Sequence, residues 1–215
     1  MAVKRKVDNL MALAVLATVV ERPMHRYEMA SLMRARGKDQ DMDIKWGSLY
    51  TVVQNLAKHG LLETIGNTRQ GARPERTIYR ITAGGRQELL DWTRELIGSP
   101  APENPRFAAG LSVWMLLSPT EVTFLLRGRL EKLEASLKGR RAALAEAGAE
   151  IPRLFLVEAE YTLAMTKAEA AWVRALLDEL VSGKYPDLAI WQTWHATGEL
   201  PAQWAELAQR GSTSD

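Results

Sequence analysis

The chain has 215 residues, no cysteine and a formal net charge of +2 at pH 7. A chain of this length can bury about 70% of the surface of its unfolded form, so we expect a core that needs neither disulfide bonds nor metal ions. The histidines are scattered, and the apolar stretches are far shorter than the roughly 20 residues that cross a bilayer. We therefore predict a cytoplasmic protein without membrane segment, metal ion or cofactor.

Positive charge is concentrated in the N-terminal part of the chain. Residues 1–90 contain 15 Lys and Arg against 9 Asp and Glu, a net charge of +6, whereas residues 91–215 have a net charge of −4. Phosphate groups are attracted by local positive potential and not by the charge of the whole chain. An anion-binding role is therefore expected in the N-terminal part; chance variation of solvated surface charge is the alternative.

Two short helices are predicted at the start of the chain. The first has Asp8 as its N-cap and ends before the Arg22-Pro23 pair. The second covers residues 25–36 and ends at Gly37. The apolar positions that we expect on their core faces are Leu10, Leu13, Leu16, Ala17 and Val20, and then Tyr27, Met29, Ala30 and Met33.

A third short helix is predicted between Ser48 as N-cap and Gly60 as C-cap. Its apolar residues recur at helical spacing and predict a core stripe of Leu49, Val52, Val53 and Leu56. The other positions mostly carry hydrogen-bonding groups, namely Tyr50, Thr51, Gln54, Asn55 and Lys58. A short helix with such a face fits a DNA major groove about 12 Å wide, and three short helices are typical of a helix-turn-helix unit.

A β-hairpin and a fourth helix are predicted next. Residues 61–65 and 77–81 form strands, and residues 66–75 form a loop rich in Gly, Pro and Arg. Thr82 is the predicted N-cap of a helix over residues 83–97. The hairpin carries a cationic ribbon that could follow a phosphate backbone or enter a minor groove; a basic, disordered surface loop is the alternative. The ribbon consists of Arg69, Arg73, Arg76 and Arg80.

The chain after residue 105 is predicted to be helical throughout. One helix covers residues 107–117, a second starts at Ser118-Pro119-Thr120-Glu121 and ends near Ala147, and a third covers residues 152–182. The two long helices have more apolar surface than the chain's own core needs, so we expect a homodimer; an antiparallel hairpin packed only on its own N-terminal domain is the alternative. Their stripes are Val122, Leu125, Leu126, Leu130, Leu133 and Leu137, and Leu154, Val157, Tyr161, Met165, Ala168, Trp172, Leu176 and Leu180.

This order of elements, together with three motifs, resembles the PadR family of transcriptional regulators. Residues 24–29 resemble the family's His-Gly-Tyr-Glu segment, and Trp46-Gly47-Ser48-Leu49-Tyr50 resembles the entry into its recognition helix. Residues 73–82 are similar to its wing, and the region after Pro105 is similar to the helical dimerisation domain of its longer members. Arg26 replaces a Gly of the family pattern, and Trp46 and Thr51 replace Pro, which a first helical turn tolerates but does not require.

The patterns and the resemblance together predict a mainly α fold. An N-terminal winged helix-turn-helix domain with a two-stranded wing occupies residues 1–97, and a linker occupies residues 98–106. A C-terminal helical dimerisation domain covers residues 107–210, with a tail whose aromatic residues dock back onto it. Residues 211–215 are predicted to be disordered.

The predicted function is a sequence-specific, DNA-binding transcriptional regulator, acting as a dimeric repressor on a palindromic operator in double-stranded DNA. The predicted base or sugar-phosphate contacts are Tyr50, Thr51, Gln54 and Asn55. The predicted phosphate contacts are Lys45, Ser48 and Lys58 in and near the helix and Arg69, Arg73 and Arg76 in the wing.

The resemblance also implies release of the operator by a small aromatic ligand. Its predicted pocket is lined by Trp92, Trp114, Trp172, Trp191 and Trp194, each of which could instead be an ordinary core residue. A winged-helix module that binds protein and not DNA is the alternative function. We do not expect an enzyme, because the sequence has no paired metal ligands, nucleophile elbow or phosphate-binding glycine loop.

Overall fold

A computed structural model describes residues 5–42, 44–68, 76–101, 103–202 and 204. The chain divides into two compact units, Met1–Pro102 and Glu103–Asp215. This division falls within the Pro-rich run that was predicted as a linker. Within the described residues, no helix is both long enough and apolar enough to cross a membrane.

The first unit combines helices with a small antiparallel sheet, which confirms the predicted mainly α winged helix-turn-helix fold. The sheet order is β1-β3-β2, with Leu62 opposite Ile81 and Met24 opposite Tyr79. Strand β1 adds a short third strand to the predicted two-stranded wing. The helices are α1 (Leu10–Val19), α2 (Arg26–Ala35), α3 (Lys38–Asp41), α4 (Leu49–Lys58) and α5 (Ala83–Gly98), and the strands are β1 (Met24–His25), β2 (Leu62–Thr68) and β3 (Arg76–Ile81).

Helix α1 is the centre of the first core, because it contacts α2, α4, α5 and β3. Most of its side chains are therefore buried, and the predicted single core face is wrong for Leu10, which is 39% exposed, and for Ala17, which is exposed. The predicted N-cap Asp8 is also wrong. Asn9 caps the helix instead, since its side chain accepts a hydrogen bond of 2.9 Å from the Ala12 backbone N–H.

Two features around α2 differ from the prediction. The Tyr27 side chain is 59% exposed and does not belong to the core. The polar residues after α2 form the short helix α3, which Gly37 joins to α2 with a positive φ of 63°. His25 caps α2, because its Nδ1 accepts a hydrogen bond of 3.1 Å from the Glu28 backbone N–H.

The junction between α4 and the wing is fixed by local hydrogen bonds. Gly60 follows α4 with a φ of 72°, and the Leu61 backbone N–H donates to the Leu56 carbonyl at 2.9 Å, a bond that closes the end of the helix. Strand β2 extends to Thr68, so the loop predicted from residue 66 begins too early. Arg69 and Arg73 lie outside the described residues.

The second unit is helical, as predicted, and two of its helices are long. It contains α6 (Arg106–Leu111), α7 (Pro119–Glu150), α8 (Val157–Ser182) and α9 (Leu188–Thr197). The predicted start of α7 is confirmed, because Ser118 Oγ accepts a hydrogen bond of 3.2 Å from the Glu121 backbone N–H. The predicted helix 107–117 is too long: α6 ends at Leu111, and a short 3-10 turn covers Trp114–Leu116.

The core of the second unit lies where α7, α8 and α9 meet. Its buried residues come from one face of each helix, and the Trp191 indole N–H donates to the Met115 and Leu117 carbonyls, both at 3.1 Å. The predicted docking of the aromatic tail is thus confirmed for α9. The buried set is Val122, Leu126, Val173, Leu176, Leu177, Leu180, Leu188 and Trp191.

Gly85 allows the start of α5 to approach the base of the wing. A Cβ atom on Gly85 would lie 2.1 Å from the Leu61 carbonyl oxygen, whereas one on Gly84 would meet nothing closer than 3.7 Å. We expect Gly85→Ala to destabilise the first unit by about 1–3 kcal/mol, because backbone atoms must move apart. Amide hydrogen exchange in β3 and α5 of the full chain measures this loss. Gly84→Ala is the matched control, and equal protection in both variants would contradict the packing argument.

Candidate nucleic-acid interface

Helix α4 separates an apolar face from a polar face. Leu49, Val52, Val53 and Leu56 are buried, with exposed fractions between 0% and 8%. The predicted DNA-contacting residues on this helix are all exposed, namely Tyr50, Thr51, Gln54, Asn55 and Lys58. The core therefore holds α4 in an orientation that presents these side chains to solvent.

Neighbouring contacts arrange part of this polar face. The Gln54 amide Nε2 donates a hydrogen bond of 2.6 Å to Tyr50 Oη, one helical turn away. The prediction that the Ser48 side chain caps α4 is wrong. Its Oγ instead donates a hydrogen bond of 2.8 Å to the Lys45 carbonyl. The Lys45 and Lys58 ammonium groups form no ion pair with any residue that the structure describes, and both side chains are exposed. These two charges are therefore available to an anion.

Arg26 joins α2 to this face, and the sequence-based prediction did not include it. Its guanidinium carbon lies 4.9 Å from the centroid of the Tyr27 ring and 4.7 Å from that of the Tyr50 ring, within the range of cation–π contacts. Arg26 also donates a hydrogen bond of 3.1 Å to Tyr27 Oη. The replacement of the family's Gly by Arg26 was the feature of the sequence that could have identified this residue.

The base of the wing adds a second arginine to the same surface. Arg76 Nη1 lies 3.3 Å from His25 Nε2, and the guanidinium carbon lies 5.7 Å from the Tyr27 ring centroid. Residues of α2, α4 and β3 thus form one cationic and aromatic surface. Arg80 is different, because its Nε donates to the Glu63 carboxylate at 2.8 Å and its charge is balanced across the strands.

Of the five tryptophans predicted for a ligand pocket, one lies in the first unit and four lie in the second. Trp92 is 4% exposed in the core of the first unit, beneath the Arg5 guanidinium at 5.0 Å. In the second unit, Trp172 packs edge-on against Phe107. Trp194 packs edge-on against Trp204 at a centroid distance of 5.8 Å.

Trp114 and Trp191 line a common cavity of about 470 Å³ in the second unit. Their ring centroids are 5.0 Å apart, and Tyr185 meets the Trp114 ring edge-on at 5.7 Å. A cavity of this size suits a small organic molecule. Among the residues described there is no cluster of His, Asp or Glu that could hold a metal ion.

Helices α2 and α4, followed by the β2–β3 hairpin, define a winged helix-turn-helix protein. Residues 15–91 match the sequence profile described as the Transcriptional regulator PadR-like family. The negative transcriptional regulator PadR of Bacillus subtilis is 27% identical over 126 residues, which are 58% of this chain and 67% of that protein. Residues 15–91 of the chain therefore resemble the PadR-like family of transcriptional regulators.

Solved structures of this family share the fold. The structure of Bacillus subtilis PadR in complex with operator DNA has a TM-score of 0.66 and 22% identity, and the match covers 80% of this chain and 99% of the other. The same protein in complex with p-coumaric acid matches with a TM-score of 0.66, 20% identity and coverages of 80% and 98%. A PadR-like regulator from Bacillus cereus matches with a TM-score of 0.56, 15% identity and coverages of 80% and 99%.

The contact between Arg26 and Tyr27 makes a prediction about titration. The hydrogen bond from Arg26, and next its positive charge, lower the pKa of Tyr27 because both favour the phenolate. Arg26→Ala should therefore raise the Tyr27 pKa toward its ordinary value of about 10. Ultraviolet absorbance of the phenolate, corrected with Tyr27→Phe in each background, measures the change. Arg34→Ala is the control, since Arg34 lies over Trp46 at 4.2 Å; an unchanged Tyr27 titration in Arg26→Ala would disprove the contact.

Proposed function

We propose that the protein binds double-stranded DNA by placing α4 in the major groove and the wing along the adjacent backbone. The observation that carries this proposal is the exposed polar face of α4 beside the arginines of α2 and β3. The operator complex of Bacillus subtilis PadR supports it, because that relative has the same fold. The excess of positive charge in residues 1–90 is consistent with phosphate binding.

The proposed contacts divide into base-reading and phosphate-binding groups. Gln54 and Asn55 have the amide geometry that pairs with adenine, and Tyr50 and Thr51 lie beside them on the same exposed face. The proposed phosphate contacts need donors that solvent can reach but that need not read sequence. Lys45, Ser48 and Lys58 are exposed, and Arg76 and the added Arg26 are partly exposed. Arg69 and Arg73 are proposed contacts outside the described residues.

We also propose that two copies form a dimer through the second unit. Helix α8 carries apolar residues along most of its length, and several from Val173 onward pack in the core. The apolar residues in the first half of the helix form an open face: Val157 is 54% exposed, Tyr161 63% and Met165 49%. An exposed apolar surface can mark an interaction site, and a second copy offers the same face for a two-fold contact.

The regulatory part of the proposal is repression relieved by a small molecule. The curated relative is a negative regulator, and its structure contains p-coumaric acid. In this chain the cavity beside Trp114 and Trp191 provides the space for a small-molecule effector. A ligand can release DNA only if it prefers one protein conformation over another. Its affinity must be higher for the conformation that cannot bind the operator than for the conformation that can.

A module that binds protein through its wing remains the second candidate function. It would use the same exposed surface but would not depend on base sequence. Lys45 and Lys58 form no ion pair with a described residue, and together with the amide groups of α4 they favour DNA, because this combination provides both phosphate binding and base recognition.

Two substitutions separate the proposed base contacts from the phosphate contacts. Gln54→Ala should remove about 1–3 kcal/mol of discrimination at one base-pair position. Arg76→Ala should instead weaken all sequences about equally and reduce the salt slope by about 0.9, because one phosphate contact is lost. Binding of a selected operator and its single-base variants at several salt concentrations measures both effects.

Arg80→Ala is the control for Arg76→Ala, because Glu63 already balances the Arg80 charge. The assignment of Gln54 is wrong if its loss weakens every sequence equally. The assignment of Arg76 as a phosphate contact is wrong if its loss changes the sequence preference at one base pair and leaves the salt slope unaltered.

The dimer is tested on the open face of α8. Tyr161→Glu should shift the protein toward monomer, because it places a charge in an interface that is otherwise apolar. Sedimentation velocity over a range of concentrations measures the shift. Lys167→Glu is the control on the exposed polar side of α8. The same dimer constant for Tyr161→Glu and the unaltered chain would exclude this face as the interface.

A further inference from the structure

The cavity in the second unit has walls rich in aromatic rings. Trp114, Tyr185, Trp191 and Trp204 line it, together with Met115 and Leu200. The Trp114 and Tyr185 rings meet at 83° and the Trp114 and Trp191 rings at 51°, so the rings face in different directions around one space. Aromatic faces carry negative electrostatic potential, and several rings around one space attract a cation.

Asp187 supplies the negative charge at this cavity. It is the sole charged residue among the described residues that line the cavity, and no lysine, arginine or histidine is among them. The Asp187 side chain is exposed, and no described residue forms a hydrogen bond or ion pair with its carboxylate. Asp187 occupies the N-cap position of α9, yet it makes no capping hydrogen bond with its side chain. Helix capping therefore does not explain why a residue with a carboxylate occupies this position.

The backbone at Asp187 is unusual for this residue type. Its φ of 61° is the only positive φ of a residue other than glycine in the described part of the chain. Pro186 precedes it, and the Leu188 backbone N–H donates to the Tyr185 carbonyl at 3.3 Å, as in a turn that normally takes Gly or Asn at this position. Such conformations cost energy and concentrate at functional sites. The turn places Asp187 among the residues that line the cavity.

We infer that this cavity binds an organic cation, with the aromatic rings enclosing the cationic group and the Asp187 carboxylate balancing its charge. The volume of about 470 Å³ admits a small aromatic ammonium compound. A carboxylate ligand is disfavoured at this cavity, because Asp187 would repel it and no described lining residue would pair with it. The inference deepens the proposed function and rests on it, since it assigns the chemical class of the effector.

Three probes of similar size test the assignment. They are (3-hydroxyphenyl)trimethylammonium, its neutral isostere 3-tert-butylphenol, and the anion 3-hydroxybenzoate. Calorimetric titration of the full chain should show the cation binding about tenfold more tightly than the isostere, a difference of about 1.4 kcal/mol. The anion should bind most weakly. Equal binding of cation and isostere, preferential binding of the anion, or no binding of the cation would overturn the inference.

Substitution of Asp187 locates the site. Asp187→Asn should remove most of the preference for the cation and leave 3-tert-butylphenol unaffected, because Asn has the same shape and tolerates a positive φ. Asp178→Asn, an exposed site on α8, is the control with the same change of charge. Unchanged cation binding in Asp187→Asn would show that the cation binds elsewhere, against the inference.

Release of operator DNA distinguishes this inference from the proposed function. If the cation binds with the expected dependence on Asp187 and does not release DNA, the ligand class holds and the effector role fails. If 3-hydroxybenzoate releases DNA with equal efficiency from the unaltered chain and from Asp187→Asn, small-molecule release holds and the assignment to a cation fails.

Discussion

Burial of the apolar face of α4 is the constraint on which the candidate interface depends. Leu49, Val52, Val53 and Leu56 have exposed fractions of at most 8%, and rotation of α4 about its axis would expose them. Exposing one such side chain costs about 1.5–3 kcal/mol. This cost exceeds the net contribution of a typical hydrogen bond to the stability of the fold. The core thus determines which polar residues α4 presents, and the wing and α2 add their arginines around that fixed orientation.

The second unit follows a different rule, because its long helices have more apolar surface than its core covers. On α8 the residues from Val173 onward pack inside the unit, while Tyr161 and Met165 are exposed on the earlier turns. The division between buried and open surface follows the position of α9, whose Trp191 donates to two carbonyl groups before α7. One end of the helical pair is therefore closed by the chain itself, and the other exposes apolar side chains.

Local signals in the sequence predicted much of the fold. These signals act within a few residues, so the sequence alone was enough to predict the elements that they mark. They are the periodicity of α4, the capping residue Ser118 and the glycine after α4. Helix α1 was misread because a helix buried on most sides has no amphipathic pattern to follow. The stacking of Arg26 between two tyrosine rings, and the carboxylate of Asp187 beside an aromatic cavity, depend on contacts across elements and on an unusual φ, which no local pattern encodes.

Selection of bound sequences from a random library of double-stranded DNA tests the central claim most directly. If α4 reads bases and two copies act together, the selected pool should contain an inverted repeat with half-sites about 10 base pairs apart or a multiple of that spacing. A pool without any enriched sequence, at a salt concentration where the protein still binds DNA, would show that the exposed face of α4 does not read bases.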